Sequence, residues 1–198
     1  MSVVSPQPAT RRRGTALTEA IFLATLDELA RTSFAELSFD KIATAAGTGK
    51  AALYRRWSTP SDLVLAALTD PATGFGGPLT PPRTGTLRGD LIELLTHFGY
   101  ALTEPRGRAL RPLIADRHQH PALFDRLWES VIRPAHEVLL HLLTEANPAA
   151  ATPLVAAVGP RMLLMQAWLT DAVSPADVTA VVDEILVPLL TAARTPTD

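Results

Sequence analysis

The stretch Ala46–Trp57, AGTGKAALYRRW, admits two readings that imply different folds. Gly49-Lys50 can close a phosphate-cradling loop, or Gly47 can hinge two short helices. A phosphate loop has the form G-x-x-x-x-G-K-[ST] between a strand and a helix. Counting back from Gly49, its first glycine falls on Thr44. The residue after Lys50, where a hydroxyl would meet magnesium, is Ala51. No strand-like alternation precedes the segment. The loop reading fails at all three points.

The helix-turn-helix reading makes demands that the residues meet. Two helices that cross closely need a small residue at the crossing, and Ala43 supplies it. The turn needs a residue tolerant of positive φ, and Gly47 is one. The second helix must bury one edge and show the other. Leu53 and Trp57, four apart, share the inward face, while Lys50, Ala51, Tyr54 and Arg55 fall on the outward one. Such an edge suits a major groove. Small Ala51 and Ala52 permit close approach to base edges, and Lys50 can donate to guanine or phosphate. Tyr54 and Arg55 suit phosphate oxygens, and the helix start at Thr48-Gly49 offers free N–H groups to an anion.

Outward from this pair the pattern stays helical. Leu17, Ala20, Ile21, Ala24, Leu26 and Leu29 recur at three- and four-residue steps, so the first helix runs from Thr15 to near Thr32. Ser38 caps a second helix over 39–46, and a third spans 50–56. Thr59-Pro60 opens a fourth that ends near Thr69, with Asp62 in its first turn. Residues 71–86 hold four prolines and four glycines in sixteen, a density no regular element survives. Beyond it, helices are expected over 87–103, 106–116, 121–146, 152–170 and 175–193. Pro134 should kink or split its helix, and Pro160 and Pro188 should bend theirs or mark a restart. The spacing thus divides the chain into a polar tail (1–10), a helix-turn-helix domain (11–70), a Pro/Gly-rich loop (71–86) and a larger helical domain (87–198).

Bulk composition narrows the chemistry. The 198 residues include no cysteine, which removes disulfides, thiolate metal sites and a cysteine nucleophile, and fits a reducing cytoplasm. Thr18, Glu19, Asp27, Glu28 and Arg31 interrupt the first apolar run, and no span reaches the roughly 18 apolar residues of a membrane helix. The expectation is a soluble, cytoplasmic protein with no membrane partner. Net charge is −2 overall. Residues 1–67 carry eight basic and six acidic side chains, a balance of +2, against ten and fourteen, −4, for the rest. Both basic clusters, Arg11-Arg12-Arg13 and Lys50/Arg55/Arg56, lie in that first third. No G-x-S-x-G, dinucleotide fingerprint or paired carboxylates point to an enzyme. His118 and His120 sit two apart without further ligands, and read as a helix-end cap rather than a metal site. No cofactor is expected.

The segment Ser38–Leu68, SFDKIATAAGTGKAALYRRWSTPSDLVLAAL, resembles the signature of the TetR family of transcriptional repressors. Its marks are Ile42, Ala43, Ala46-Gly47, Lys50, Leu53, Tyr54, Arg55-Arg56 and Trp57. The part from Glu104 onward, EPRGRALRPLIAD, more loosely resembles a C-terminal regulatory domain of that family. Two positions depart from the pattern. Thr48-Gly49 stands where Val-Ser is usual, and Pro60 where a phosphate-binding lysine is common.

The resemblance implies an all-α protein: an N-terminal three-helix helix-turn-helix DNA-binding domain plus a larger C-terminal ligand-binding and dimerisation domain. It implies a homodimer through the last two helices. Their stripes would be Leu154, Val155, Val158, Met162, Met165 and Leu169, then Val178, Val181, Val182, Ile185, Leu186 and Leu189. It implies a double-stranded operator met by Thr48, Gly49, Lys50, Ala51, Ala52, Tyr54, Arg55, Arg56 and the Arg11, Arg12, Arg13 arm. It also implies a small-molecule inducer, with His97, Phe98, Tyr100, Trp128, Met162, Met165, Gln166 and Trp168 as pocket candidates. The alternative is a helical protein-interaction module that binds no specific DNA.

Overall fold

The computed structural model describes residues 14–192 and is helical throughout, with no strand among them. Eleven α-helices follow in order: α1 Thr15–Arg31, α2 Phe39–Ala45, α3 Lys50–Tyr54, α4 Pro60–Thr69, α5 Leu87–Thr103, α6 Pro105–Ala115, α7 Pro121–Leu127, α8 Arg133–Ala146, α9 Pro153–Thr170, α10 Pro175–Ala180 and α11 Val187–Ala192. Their starts are written in the sequence. Ser38, Thr59, Thr86, Thr152 and Ser174 each accept from a backbone N–H in the first turn of the helix they precede. Pro60, Pro153 and Pro175 follow as first residues, where a missing N–H costs nothing. None of the described helices is long and apolar enough to cross a membrane.

Prolines inside helices have two outcomes. At Pro134 and Pro188 the chain widens into a π-helical turn just before the ring, Trp128–Ile132 and Val181–Leu186. Arg133 N–H, immediately before Pro134, donates to Trp128 O, and Val187 N–H, before Pro188, donates to Val182 O. The wider turn takes up the clash between the ring and the carbonyl four residues back. The backbone stays in the right-handed helical region through both turns, so the chain does not split at Pro134. α9 runs through Pro160 and α6 through Pro112 without a change of helix type.

Two apolar cores organise the molecule. The first joins α1–α4 around Ile21, Leu26, Leu29, Ile42, Leu53, Leu63 and Leu68, all fully buried. It also takes in Ala109, Leu110 and Leu113 of α6 and Leu123 and Leu127 of α7, so it spans both sides of the 71–86 loop. Two ion pairs bridge the same contact, Asp27–Arg108 at 3.8 Å and Asp62–Arg126 at 3.0 Å. Each buried leucine is worth about 1.5–3 kcal/mol, an exposed pair about 1 at most. Apolar packing therefore holds α6 and α7 on α1 and α4, and the charges adjust the fit. Buried Glu28 receives Arg31 at 2.8 Å and Lys41 at 3.8 Å, tying α2 to α1.

The second core gathers Leu91, Leu95 and Leu102 of α5, Leu139, Leu142 and Leu143 of α8, and Ala156, Leu163 and Ala167 of α9. Val178, Val181, Val182, Leu186 and Leu190 close it from the last helical stretch. This corrects the second expected dimer stripe. Val178, Val181, Val182 and Leu186 are spent inside the chain, Ile185 is half-buried, and Leu189 alone of that set is exposed. The stripe on α9 points the other way. Leu154, Met162, Met165 and Leu169 are exposed, with Val155 and Val158 half-buried.

Candidate nucleic-acid interface

The corner between α2 and α3 is fixed by Gly47, whose φ is 65°. Thr48 N–H reaches Ala43 O at 2.9 Å and Gly47 N–H reaches Thr44 O at 3.2 Å, the bond pair of a Schellman end. Ala43, 4 % exposed, lets the helices cross closely. The inner edge of α3 is Leu53, fully buried, followed by half-buried Trp57, whose ring lies 5.6 Å from Phe22 of α1. Packing of that edge sets the rotation of α3 and leaves Lys50, Ala51, Tyr54, Arg55 and Arg56 exposed. Gly49 caps α3 without a side-chain bond.

Ala52 is a correction. It is 8 % exposed and lies in the first core, so it cannot reach a base edge. The inward arc of a helix is wide enough to take Ala52 along with its neighbour Leu53. Arg11, Arg12 and Arg13 lie outside the described residues.

The exposed edge is held by its own contacts. Lys50 Nζ donates to Asp40 Oδ2 at 2.7 Å, and this bond keeps the ammonium above the ordinary lysine value. The same Nζ is 5.7 Å from the Tyr54 ring centre, and Tyr54 stands edge-on to Phe39 at 4.8 Å. Arg56 Nη1 donates to Thr18 Oγ1 of α1, and its guanidinium lies 6.0 Å from the Trp57 ring. The edge therefore presents a cation, a phenol and two guanidiniums with α3 pinned behind them, a pattern suited to phosphate oxygens and guanine acceptors. Sequence reasoning missed Asp40, Phe39 and Thr18. They stand ten, fifteen and thirty-eight residues from the side chains they hold, beyond any helical spacing rule.

None of the eight pocket candidates lines either of two crevices at the surface of the described residues. His97 is exposed and bonds the Glu93 carbonyl of its own helix at 3.0 Å. Tyr100, Trp128, Met162 and Met165 are exposed, and Phe98, Gln166 and Trp168 are half-buried. The reason lies in α9. Its inner face is Ala156, Gly159, Leu163 and Ala167, mostly small, so α5 and α8 pack close and the bulky side chains are turned outward. A crevice does exist at Phe34, Leu113, Asp116, His120, Leu123, Phe124 and Leu127, but it has no room even for water. Its His120 is half-buried and stacks edge-on with Phe34 at 4.6 Å, where a surface cap was expected. A shallow groove of about 400 Å³ runs along Pro175, Ala176, Thr179, Ala180, Asp183 and Glu184. Neither contains any of the eight.

Comparison with known proteins agrees with this layout. Residues 21–67 match the family described as bacterial regulatory proteins, tetR family, and residues 81–185 match the tetracyclin repressor-like C-terminal domain. An uncharacterized HTH-type transcriptional regulator of Mycobacterium tuberculosis is 28 % identical over 181 residues, covering 86 % of each chain. A DNA-binding transcriptional repressor TetR of Mycobacteroides abscessus is 34 % identical over 83 residues, covering 42 % of this chain and 43 % of that one. Among solved structures, a tetR-family transcriptional regulator from Streptomyces coelicolor superposes with a TM-score of 0.63 at 22 % identity, over 92 % of this chain and 90 % of that one. The flavonoid-responsive regulator FrrA reaches the same TM-score, 0.63, at 20 % identity, over 90 % and 97 %.

Proposed function

Because the chain belongs to the TetR family of bacterial transcriptional regulators, we propose that it is a repressor that binds a pseudo-palindromic operator as a homodimer. It is a regulator with a helix-turn-helix DNA-binding domain, not an enzyme. The observation that carries the reading is the exposed Lys50/Tyr54/Arg55 edge of α3, held out by the buried Leu53 edge and the Gly47 turn. Two such edges in a dimer would enter successive major grooves, roughly 34 Å apart. The dimer would form over the exposed apolar face of α9, Leu154, Met162, Met165 and Leu169, and could draw in the exposed Leu189 of α11.

The ligand part of the proposal is a small apolar molecule that binds one arrangement of the C-terminal helices better than another and so releases DNA. A fold neighbour named as flavonoid-responsive supports trying planar aromatic compounds first. The half-buried Phe98, Gln166 and Trp168 are the remaining interior candidates for contact. The test is a gel shift with DNA flanking the protein's own gene. Lys50→Ala and Tyr54→Ala should each weaken binding by about tenfold, as expected for a lost groove contact, with the fold intact by circular dichroism. Wild-type affinity in both variants would remove α3 as the reading helix. A flavonoid panel added to the bound complex should free the DNA. If no compound of the panel does so, the proposed inducer class is wrong.

A further inference from the structure

Asp40 is the second residue of α2, next to the DNA-facing edge. Its carboxylate takes the Lys50 ammonium at 2.7 Å, with the two side chains 66 % and 47 % exposed. Lys50 is one of only two lysines in the chain. Its Nζ also leans 5.7 Å from the Tyr54 ring, and that ring is set against Phe39, the residue before Asp40. An ammonium on a free stem would sweep solvent, whereas this one is placed. Ser38 already caps α2 by accepting from the Lys41 N–H, and Thr44 bonds only the Asp40 backbone carbonyl; a first-turn acid favours the helix dipole, but that does not require the carboxylate to take Lys50. An acid in this position is unfavourable beside phosphates, and its ion pair with Lys50 is the feature that bears on DNA contact.

We propose that Asp40 is a specificity-determining residue: it withholds the Lys50 ammonium from indiscriminate phosphate contact and yields it to a guanine edge. The competition decides the outcome. An exposed ion pair is worth at most about fivefold in an equilibrium constant, and a lysine–phosphate contact is another such pair. At random DNA, Asp40 and phosphate therefore compete on near-equal terms. A well-placed contact to guanine O6 and N7 discriminates by roughly five- to a hundredfold, matching the Asp40 bond at its weakest and exceeding it otherwise. The released carboxylate can then accept from the N4 amino group of the paired cytosine, so the two residues together favour a G·C pair. This inference rests on the DNA-reading edge proposed above.

The test uses the full chain and two duplexes: one enriched from a randomised library on the wild-type protein, and a scrambled duplex of equal length and composition. Affinity is measured across a salt series. In Asp40→Asn the freed Lys50 should gain a phosphate. Binding to the scrambled duplex should then tighten about fivefold, and the log–log salt slope should steepen by about one per bound protomer. The preference for the enriched duplex should fall correspondingly. In a Lys50→Gln background the same change at Asp40 should only relieve repulsion between the carboxylate and phosphates, tightening both duplexes alike and leaving the salt slope and the preference unchanged. A melting curve accompanies each variant, and Asp40→Ser repeats the series if Asp40→Asn folds poorly. Unchanged slope and preference, or the same shift in the Lys50→Gln background, would overturn the inference. Failure of the wild-type protein to enrich any duplex would remove the DNA-reading edge, a separate result that takes this inference with it.

Discussion

Gly47 and Gly49 stand two residues apart in different conformations, with φ of 65° and −86°. Only the first needs glycine, because a side chain in the left-handed region costs about 1–2 kcal/mol. Gly47→Ala should lower stability to urea by that amount. Gly49 sits in extended backbone with nothing within 4 Å of where a Cβ would lie. Gly49→Ser should restore a hydroxyl cap to α3 and raise stability by a few tenths of a kcal/mol, roughly the gap between the two residues at that position. Equal urea midpoints for the two variants would contradict this division. Asp62 offers a pH test. Hydrogen bonds from Thr59 and then Arg126 hold its carboxyl below the usual 3.8. A lowered folded-state value stabilises above 3.8 and is lost as pH falls through the depressed one. The Asp62→Asn protein should therefore lose less stability than wild type on acidification below about pH 4, by thermal melts across that range. At this scale the hinge, the inner edge and the outward cations were legible from Gly47, Leu53 and the basic run. The burial of Ala52 was not, because which of two adjacent alanines turns inward depends on what α1 and α2 place opposite.

Helix limits were legible to within a residue or two wherever a hydroxyl, a proline or a glycine marked the end, as at Ser38, Thr59-Pro60, Thr152-Pro153 and Ser174-Pro175. The fate of a helix face was not. α9 is apolar nearly all round, so periodicity alone cannot say which side packs inward. Size settles it. Gly159 leaves space that Leu95 and Leu186 fill, and a Cβ there would lie 3.1 and 3.2 Å from their methyl carbons. Gly159→Leu should cost about 1–3 kcal/mol by overpacking, measured as a lower urea midpoint. An unchanged midpoint would mean that α9 does not pack through this face. The stripe of the final helix illustrates the converse. Its valines read equally well as dimer contact or core, and the nearby leucines of α5 and α8 claim them.

The whole molecule puts α6 and α7 on the same apolar core as the helix-turn-helix, so a shift of these helices would move α1 and α4 with them. It also leaves the apolar face of α9 uncovered, with Leu169 at 74 % and Leu154 at 67 % exposure. A face of that kind marks an interaction surface. Leu169→Glu combined with Met165→Glu should turn the dimer into a folded monomer in sedimentation, with weakened DNA binding because two linked edges act as one. A wild-type protein that sediments as a monomer would refute the dimer. In the proposed dimer, two copies of the Lys50/Tyr54/Arg55 edge lie in one duplex. Hydroxyl-radical footprinting of the wild-type protein on its enriched duplex reads this placement. Two protected stretches on the same face of the helix are expected, centred about one turn, roughly 34 Å, apart, and in Lys50→Ala both should shift together to about tenfold higher protein. A single uninterrupted stretch, or protection that survives Lys50→Ala unchanged, would contradict it.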